Sequence, residues 1–534
     1  MASTGLAPTQ ALPPDPAIEA HRLVLRFLNH QGYHDAASAL QREAARANPR
    51  ILQRILAPVD LGGGDPGYDW QDVVDDFLGA RLARCTVDDP TATLKEQLDA
   101  LEIDEHELPQ GEVRTAIRDA SNVLCVQSAS VPRREWDTQQ LRFVVHHLAC
   151  LLTTAVDRTL KVYRSDSFEL LESFSLPSPA LSIAQHPSPS QARFIACATM
   201  EGSLSVIDVV SREVVARVKD HNKYIVKVAF SPDGNYLATL GYDRLINIYR
   251  FALAPHPADP PARNDDDAED EEPEDPLSTC PEVTLELVHA IPTRTNPEAA
   301  VWLPMPAGPD PAEAWLVWTA REDNLLHYVE APPRSEMTSL EEARQQKWDT
   351  EEWNLNENGD SFISFSILSI SLHPTLPILS LQTSTASARL LLYPFHSATR
   401  LLTLHTSASQ SDYFNPRHAW LPSGAGVVVN SEDGVVRLVD LQGRVRLSRG
   451  AHGVAAPDEE LEHLIAEEGQ DLSVERRREL KSERARLRRE ADRGSSVVRD
   501  VEVLLPTEDD KGIVGTTGWR VVSCGFDKTV KVLG

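Results

Sequence analysis

The segment from His221 to Phe251 has the most regular pattern of apolar and polar residues in the chain. Three runs within it, at 224–230, 235–241 and 245–251, alternate in polarity or are rich in β-branched residues, as β-strands are. The turn sequences SPDG and YDR separate these runs. Strand, turn, strand, turn, strand predicts most of a four-stranded antiparallel sheet, and such a sheet needs further copies to bury its faces.

Six further stretches of the chain carry degenerate copies of this unit. Aligned on the second turn, the seven units place these residues in register: Asp157, Glu201, Asp243, Asp323, Ser387, Asp433 and Asp527. Three of the intervals are close to the ~40–45 residues of one propeller blade. We assign the longer intervals to insertions at 253–282, 331–358 and 451–496. We therefore predict that residues 111–534 form an all-β, seven-bladed β-propeller.

These units resemble WD repeats, and the resemblance implies roles for several side chains. It places a structural hydrogen-bond network in the third blade on His221, Thr239, Asp243 and Tyr249, with Tyr in place of the usual Trp. It also implies that Asp157, Asp433 and Asp527 are structural turn acids. No unit ends in a Trp-Asp pair, and the nearest equivalents are Ile207-Asp208 and Val439-Asp440.

The seventh unit ends after its third strand, so the fourth strand must come from elsewhere. We predict that residues 113–128 supply it and close the ring, which would remove the free sheet edges. The acidic insertion, with its carboxylate-rich segment at 264–276, is expected to be disordered and to lie between blades three and four.

Residues 17–50 show helical rather than alternating spacing, and Gly32 divides them into two short helices. They resemble a LisH motif, whose pattern falls on Leu23, Val24, Phe27, Leu28, Gly32, Tyr33, Ala37, Leu40 and Glu43. The resemblance implies a homodimer built on these residues. Residues 1–16 are expected to be disordered. Residues 51–110 are expected to form a helical linker, whose last helix, TATLKEQLDALE, could extend the dimer as a short coiled coil.

The chain is acidic, with 534 residues and a formal net charge of −28, which disfavours nucleic acid and anionic membranes as partners. One stretch of the third insertion, 476–493, is basic and helix-favouring. Its candidate contact residues are Arg476, Arg477, Arg478, Arg484, Arg486, Arg488 and Arg489. The stretch is interpreted as a solvated helix, a partner helix, or a nuclear-import or nucleic-acid patch. The alternative function is therefore a nuclear chromatin- or RNA-associated factor.

No catalytic or metal-binding motif stands out in the sequence. The six cysteines are scattered and are expected to be reduced thiols. Neither a signal peptide nor a membrane span is predicted, so the protein is expected in the cytoplasm or nucleus. We predict no enzyme and no cofactor, but a scaffold with itself and other proteins as partners. The order of modules resembles dynein-regulating nuclear-distribution proteins, transducin-β-like corepressors and LisH-containing ubiquitin-ligase subunits.

Overall fold

The computed structural model divides the chain into two compact units, Met1–Val87 and Asp88–Gly534. The structure describes these residues: 90–109, 111–137, 142–253, 281–304, 314–332, 348–356, 365–385, 387–411, 414–453, 496–505 and 518–534, together with 474, 476, 478, 481 and 482. All described residues belong to the second unit. The predicted LisH helices and the expected disorder at 1–16 and in the acidic insertion lie outside them.

The second unit folds into seven sheets of four antiparallel strands each, which confirms the predicted seven-bladed β-propeller. Helix α1 (Pro90–Asp99), a 3-10 turn (Glu105–Glu107) and strand β1 (Arg114–Arg118) come before the first blade. A second 3-10 turn, Pro189–Gln191, lies in blade two. Among the described residues, no helix is long and apolar enough to cross a membrane.

The blades follow one another in chain order, and their strands are given from the central channel outward. Blade one comprises β2 (Val123–Asp137), β3 (Arg142–Ala155), β4 (Thr159–Arg164) and β5 (Leu170–Ser175). Blade two comprises β6 (Ala180–Gln185), β7 (Phe194–Thr199), β8 (Leu204–Asp208) and β9 (Glu213–Val218). Blade three comprises β10 (Ile225–Phe230), β11 (Tyr236–Gly241), β12 (Leu245–Leu253) and β13 (Val283–Pro292).

The remaining four blades keep the same arrangement. Blade four comprises β14 (Pro297–Trp302), β15 (Ala314–Ala320), β16 (Leu325–Ala331) and β17 (Thr350–Asn354). Blade five comprises β18 (Ile367–Leu372), β19 (Ile378–Thr383), β20 (Arg389–Pro394) and β21 (Leu402–His405). Blade six comprises β22 (His418–Trp420), β23 (Gly426–Val429), β24 (Val435–Asp440) and β25 (Val445–Gly450). Blade seven comprises β26 (Val498–Leu504), β27 (Arg520–Gly525), β28 (Thr529–Leu533) and β1.

The core lies between neighbouring blades, where the second strands are sandwiched. Every residue of β7, β11 and β19 is buried, because both faces of these strands pack against an adjacent sheet. Between blades three and four, the ring of Tyr236 stacks on Trp302 with centroids 6.2 Å apart. The Tyr236 hydroxyl donates a hydrogen bond to the Pro332 carbonyl at 2.7 Å, which satisfies the only polar atom of a fully buried side chain.

Ring closure differs in part from the sequence prediction. Residues 114–118 form the outer strand of blade seven and pair with β28. The rest of the predicted closing segment does not, because the chain turns at Asp119–Asn122 and then enters β2, the innermost strand of blade one. The backbone N–H of Asp119 bonds to the Lys528 carbonyl at 2.8 Å, and this bond holds the turn against blade seven.

Two insertions lie elsewhere than predicted. The acidic segment falls between β12 and β13, so it lies within blade three and not between blades three and four. The stretch assigned to the insertion at 331–358 contains β17, the outer strand of blade four. Its sequence, TEEWN, has one apolar residue. An outer strand buries only part of one face, so its pattern is too weak to be recognised.

Helix α1 confirms that TATLKEQLDALE is helical over most of its length, but its apolar side is not free to extend a dimer. Leu98 is 2% exposed and packs among Leu390 of blade five and Val427 of blade six. Ile103 continues this contact into a cluster shared with blade seven. The propeller therefore covers the face that a coiled coil would need.

Candidate functional site

Blade three contains a buried hydrogen-bond network on the residues singled out in the sequence. His221 Nδ1 lies 3.0 Å from Asp243 Oδ1, and His221 Nε2 lies 2.8 Å from Thr239 Oγ1. Tyr249 is fully buried, and its hydroxyl accepts a bond from the Asn247 amide at 3.3 Å. This arrangement ties the loop that enters the blade to the blade's second turn.

Blade seven contains a second network that the sequence reasoning missed. His452 Nδ1 lies 3.0 Å from Asp527 Oδ1, and His452 Nε2 lies 2.9 Å from Ser523 Oγ. Burial raises the pKa of Asp527, but the hydrogen bonds from His452 and Thr529 outweigh it and hold that pKa below its ordinary value. The sequence pattern marks Asp527 only as a turn acid and does not reveal its histidine.

His452 is hard to recognise in the sequence because it lies far from Asp527 along the chain. In blade three the histidine precedes its aspartate by 22 residues, whereas in blade seven the separation is 75. The third insertion lies in this interval, between β25 and β26. The dipeptide Ala451-His452, at the start of the segment assigned to the insertion, was the available signal.

The other assigned turn acids stabilise their turns without a histidine among the described residues. Asp157 accepts bonds from Thr159 and Lys161. Asp433 is paired with Arg437 at 2.6 Å. Both arrangements fit the structural role that the resemblance implied.

Asp208, noted above as a remnant of a Trp-Asp pair, forms a buried ion pair. Its carboxylate accepts two bonds from the Arg193 guanidinium, at 2.9 and 2.6 Å, and a third from Val210 N–H at 2.9 Å. Burial raises the pKa of Asp208, but the bonds from Arg193 outweigh it, so the net shift is downward. The pair ties the residue just before β7 to the last residue of β8 inside the propeller.

Within the described residues, a hairpin in blade one departs from the blade pattern. Strand β4 pairs with β3 only along 150–155, whereas β2 and β3 continue to pair with each other up to Asp137 and Arg142. The hairpin tip thus projects beyond the blade. We call the paired segments 130–137 and 142–149 the blade-one hairpin.

The tip of the blade-one hairpin exposes large aromatic side chains beside basic ones. Trp136 is 50% exposed and Phe143 is 49% exposed. Their rings meet edge to face with centroids 4.8 Å apart, and the Arg134 guanidinium lies 3.5 Å above the Phe143 ring. Protein-binding surfaces are enriched in aromatic residues and arginine.

The basic stretch at 476–493 lies mostly outside the described residues. The four residues of this stretch that are described (476, 478, 481 and 482) are helical and exposed. Their conformation agrees with a solvated helix. Its role in binding nucleic acid or a partner stays a prediction, as do the roles of the LisH residues.

Comparisons with known proteins match both the LisH segment and one blade of the propeller. The LisH family model matches residues 22–44, and the model named WD domain, G-beta repeat matches residues 212–250, which include most of blade three. The chain combines a LisH motif with a WD-repeat propeller. This combination is typical of a protein-interaction scaffold.

Three curated relatives of this LisH and WD-repeat chain share a short stretch with it. Echinoderm microtubule-associated protein-like 2 of Homo sapiens is 36% identical over 101 residues, 19% of this chain and 15% of that protein. The Mus musculus protein of that name is 34% identical over 101 residues, with the same two coverages. Echinoderm microtubule-associated protein-like 3 of Homo sapiens is 36% identical over 98 residues, 18% of this chain and 11% of that protein. The chain thus spans a small part of their length.

Proposed function

We propose that this protein is a non-catalytic scaffold that homodimerises through its LisH motif and binds protein partners on its propeller. The observation that carries this proposal is the pairing of a LisH match with a closed propeller whose blade-one hairpin projects into solvent. A dimer would present two hairpins. If both hairpins of one dimer bind a repeated target, the apparent affinity is higher than that of either contact alone.

The blade-one hairpin is the partner contact in this proposal. Its tip offers rigid aromatic area through Trp136 and Phe143, with basic charge from Arg133 and Arg134 beside it. Aromatic side chains lose little entropy on binding because they have few rotatable bonds. Arginines at the rim favour an acidic partner surface, since complementary charge guides association.

Microtubules are the first partner to test among the three complex types that the module order suggests. The relatives are named as microtubule-associated proteins, and these names are the reason for testing microtubules first. The repeated lattice of a polymer also suits a bivalent dimer.

Phe27→Asp combined with Leu40→Asp is expected to convert the dimer to a monomer, because two charges would be buried in an apolar helix interface. Light scattering after gel filtration should give twice the chain mass of 59.0 kDa for the wild type and 59.0 kDa for the variant. Arg42→Asp is the matched control, since this position falls on the polar side of the predicted helix. A double variant that stays dimeric contradicts the LisH part of the proposal.

Trp136→Ser combined with Phe143→Ser is expected to weaken microtubule binding by about tenfold or more, as loss of aromatic hot spots does. Co-sedimentation with polymerised tubulin measures the bound fraction. Phe526→Ser is the control, because Phe526 is 44% exposed on blade seven. If the wild type stays in the supernatant, microtubules are not the partner; if both variants pellet equally, the hairpin is not the contact.

A further inference from the structure

The central channel holds charged side chains that neither the blades nor the proposed scaffold role explains. The innermost strands of all seven blades enclose a cavity of about 220 Å³. Three basic side chains line it: Lys227 from blade three, Arg417 at the start of blade six and Arg499 from blade seven. Asp500 and Glu502 lie on the same strand as Arg499.

Within the part of the chain that the structure describes, the three cations form no ion pair, although the charge of Asp500 attracts both Lys227 and Arg499. None of their side chains donates a hydrogen bond to another described side chain, although each is half-buried. Burial and the nearby charge of Arg417 lower the pKa of Lys227 and of Arg499. Holding a half-buried cation without a hydrogen-bond partner costs free energy, and a bound anion would reduce that cost.

The two carboxylates of the channel are already held by blade one. Asp500 Oδ2 accepts from the Val126 N–H at 3.1 Å. Glu502 Oε1 accepts from the Ser128 hydroxyl at 2.6 Å and from its N–H at 3.3 Å. These bonds fix both acids to the wall of the channel. Neither acid is hydrogen-bonded to a described cation.

On the described channel wall, basic side chains outnumber carboxylates by three to two. Burial raises the pKa of Glu502 to about 7, so this acid carries only part of its charge. Burial lowers the pKa of His418 to about 3 and raises the pKa of the Cys125 thiol, which keeps both groups neutral. Three cations thus face at most two carboxylates.

We propose that the channel binds a small multivalent oxyanion, a phosphate ester or a polycarboxylate, held by Lys227, Arg417 and Arg499. Guanidinium groups match the geometry of phosphate and carboxylate oxygens, and an ammonium group adds a point charge. The cavity is smaller than the ~300–1,000 Å³ of drug-sized ligand sites, so the ligand must be small. This site is independent of the LisH dimer and of the blade-one hairpin.

Calorimetric titration of the full-length protein with inorganic pyrophosphate, and separately with citrate, tests the proposal. Saturable one-site binding is expected for at least one of them at concentrations up to about 5 mM. Binding of pyrophosphate alone would indicate that the natural ligand is a phosphate ester, and binding of citrate alone would indicate a polycarboxylate. Binding of both would indicate that the site recognises the charge and oxygen atoms that the two anions share. Absence of binding by either anion overturns the proposal.

Three variants separate a binding role from a structural one. Lys227→Met is expected to weaken binding about tenfold, because a charge-assisted hydrogen bond is lost. Glu502→Gln is expected to strengthen it, since a competing negative charge is removed. Lys219→Met is the matched control, as Lys219 is exposed outside the channel.

Opposite shifts for Lys227→Met and Glu502→Gln support the site, because loss of folding would weaken binding in both. Circular dichroism checks that each variant is folded, and Glu502→Gln alone decides the matter if Lys227→Met does not fold. Unchanged affinity in the folded Lys227→Met variant, or weaker binding by folded Glu502→Gln, contradicts the assignment.

Discussion

Asp208→Ala is expected to lower the free energy of unfolding by about 3–5 kcal/mol, because it strands a buried guanidinium without its counter-charge. The Arg193 side chain is 4% exposed and the Asp208 side chain is fully buried. Water cannot replace the lost carboxylate at such depth, and the Val210 N–H loses its acceptor as well. Urea denaturation followed by circular dichroism measures the difference.

An exposed ion pair in the same region gives the matched control. Arg212 and Glu172 are 2.5 Å apart, but the Arg212 side chain is 67% exposed. Glu172→Ala should therefore cost less than about 1 kcal/mol. Combining Asp208→Asn with Arg193→Met removes both charges and should recover part of the loss. Equal costs for Asp208→Ala and Glu172→Ala would contradict a special role for the buried pair.

The same ion pair predicts a dependence on pH. The pKa of Asp208 lies below its ordinary value of 3.8 in the folded protein, so its stabilising effect is fully present above that value. It is lost as pH falls through the lower folded pKa. The difference in stability between wild type and Asp208→Ala should be constant near neutrality and should shrink below about pH 4.

The number of blades was predictable because the turn between the second and third strands of each blade is dictated locally. Asp433 and Asp527, for example, each cap such a turn through contacts within four residues. The strand β17 was missed because an outer strand buries too little to impose an apolar pattern. The acidic segment was placed between blades because its length hides β13, the strand that completes blade three.

The candidate sites were harder to predict, since they depend on which residues meet across blades. Alternation in β10 marks Lys227 as facing away from the core, but it does not show that Arg417 and Arg499 face the same space. The Arg193–Asp208 pair depends on the register of β7 against β8, and the repeat pattern alone leaves this register open. His452 is distant in sequence from Asp527 because an insertion separates them.

Removing residues 1–118 is expected to destabilise the propeller far more than removing residues 1–109. The longer deletion takes away β1, leaving blade seven with three strands and β28 with an unpaired edge. Ile117 is buried among residues of blades one and seven, and its burial contributes about 1.5–3 kcal/mol. The ladder bonds to β28 add about 0.5–1.5 kcal/mol each. Together these losses approach the ~5–15 kcal/mol by which domains are stable.

A series of three deletions separates ring closure from the contact made by helix α1. Removing 1–89 keeps both elements and should leave the melting temperature of the propeller nearly unchanged. Removing 1–109 takes away α1 and its Leu98 contact with blades five and six, and truncation of a buried leucine alone typically costs about 2–5 kcal/mol. Removing 1–118 should then abolish cooperative melting or cause aggregation through the exposed edge. If the 1–118 deletion melts like the 1–109 deletion, β1 does not close the ring in solution.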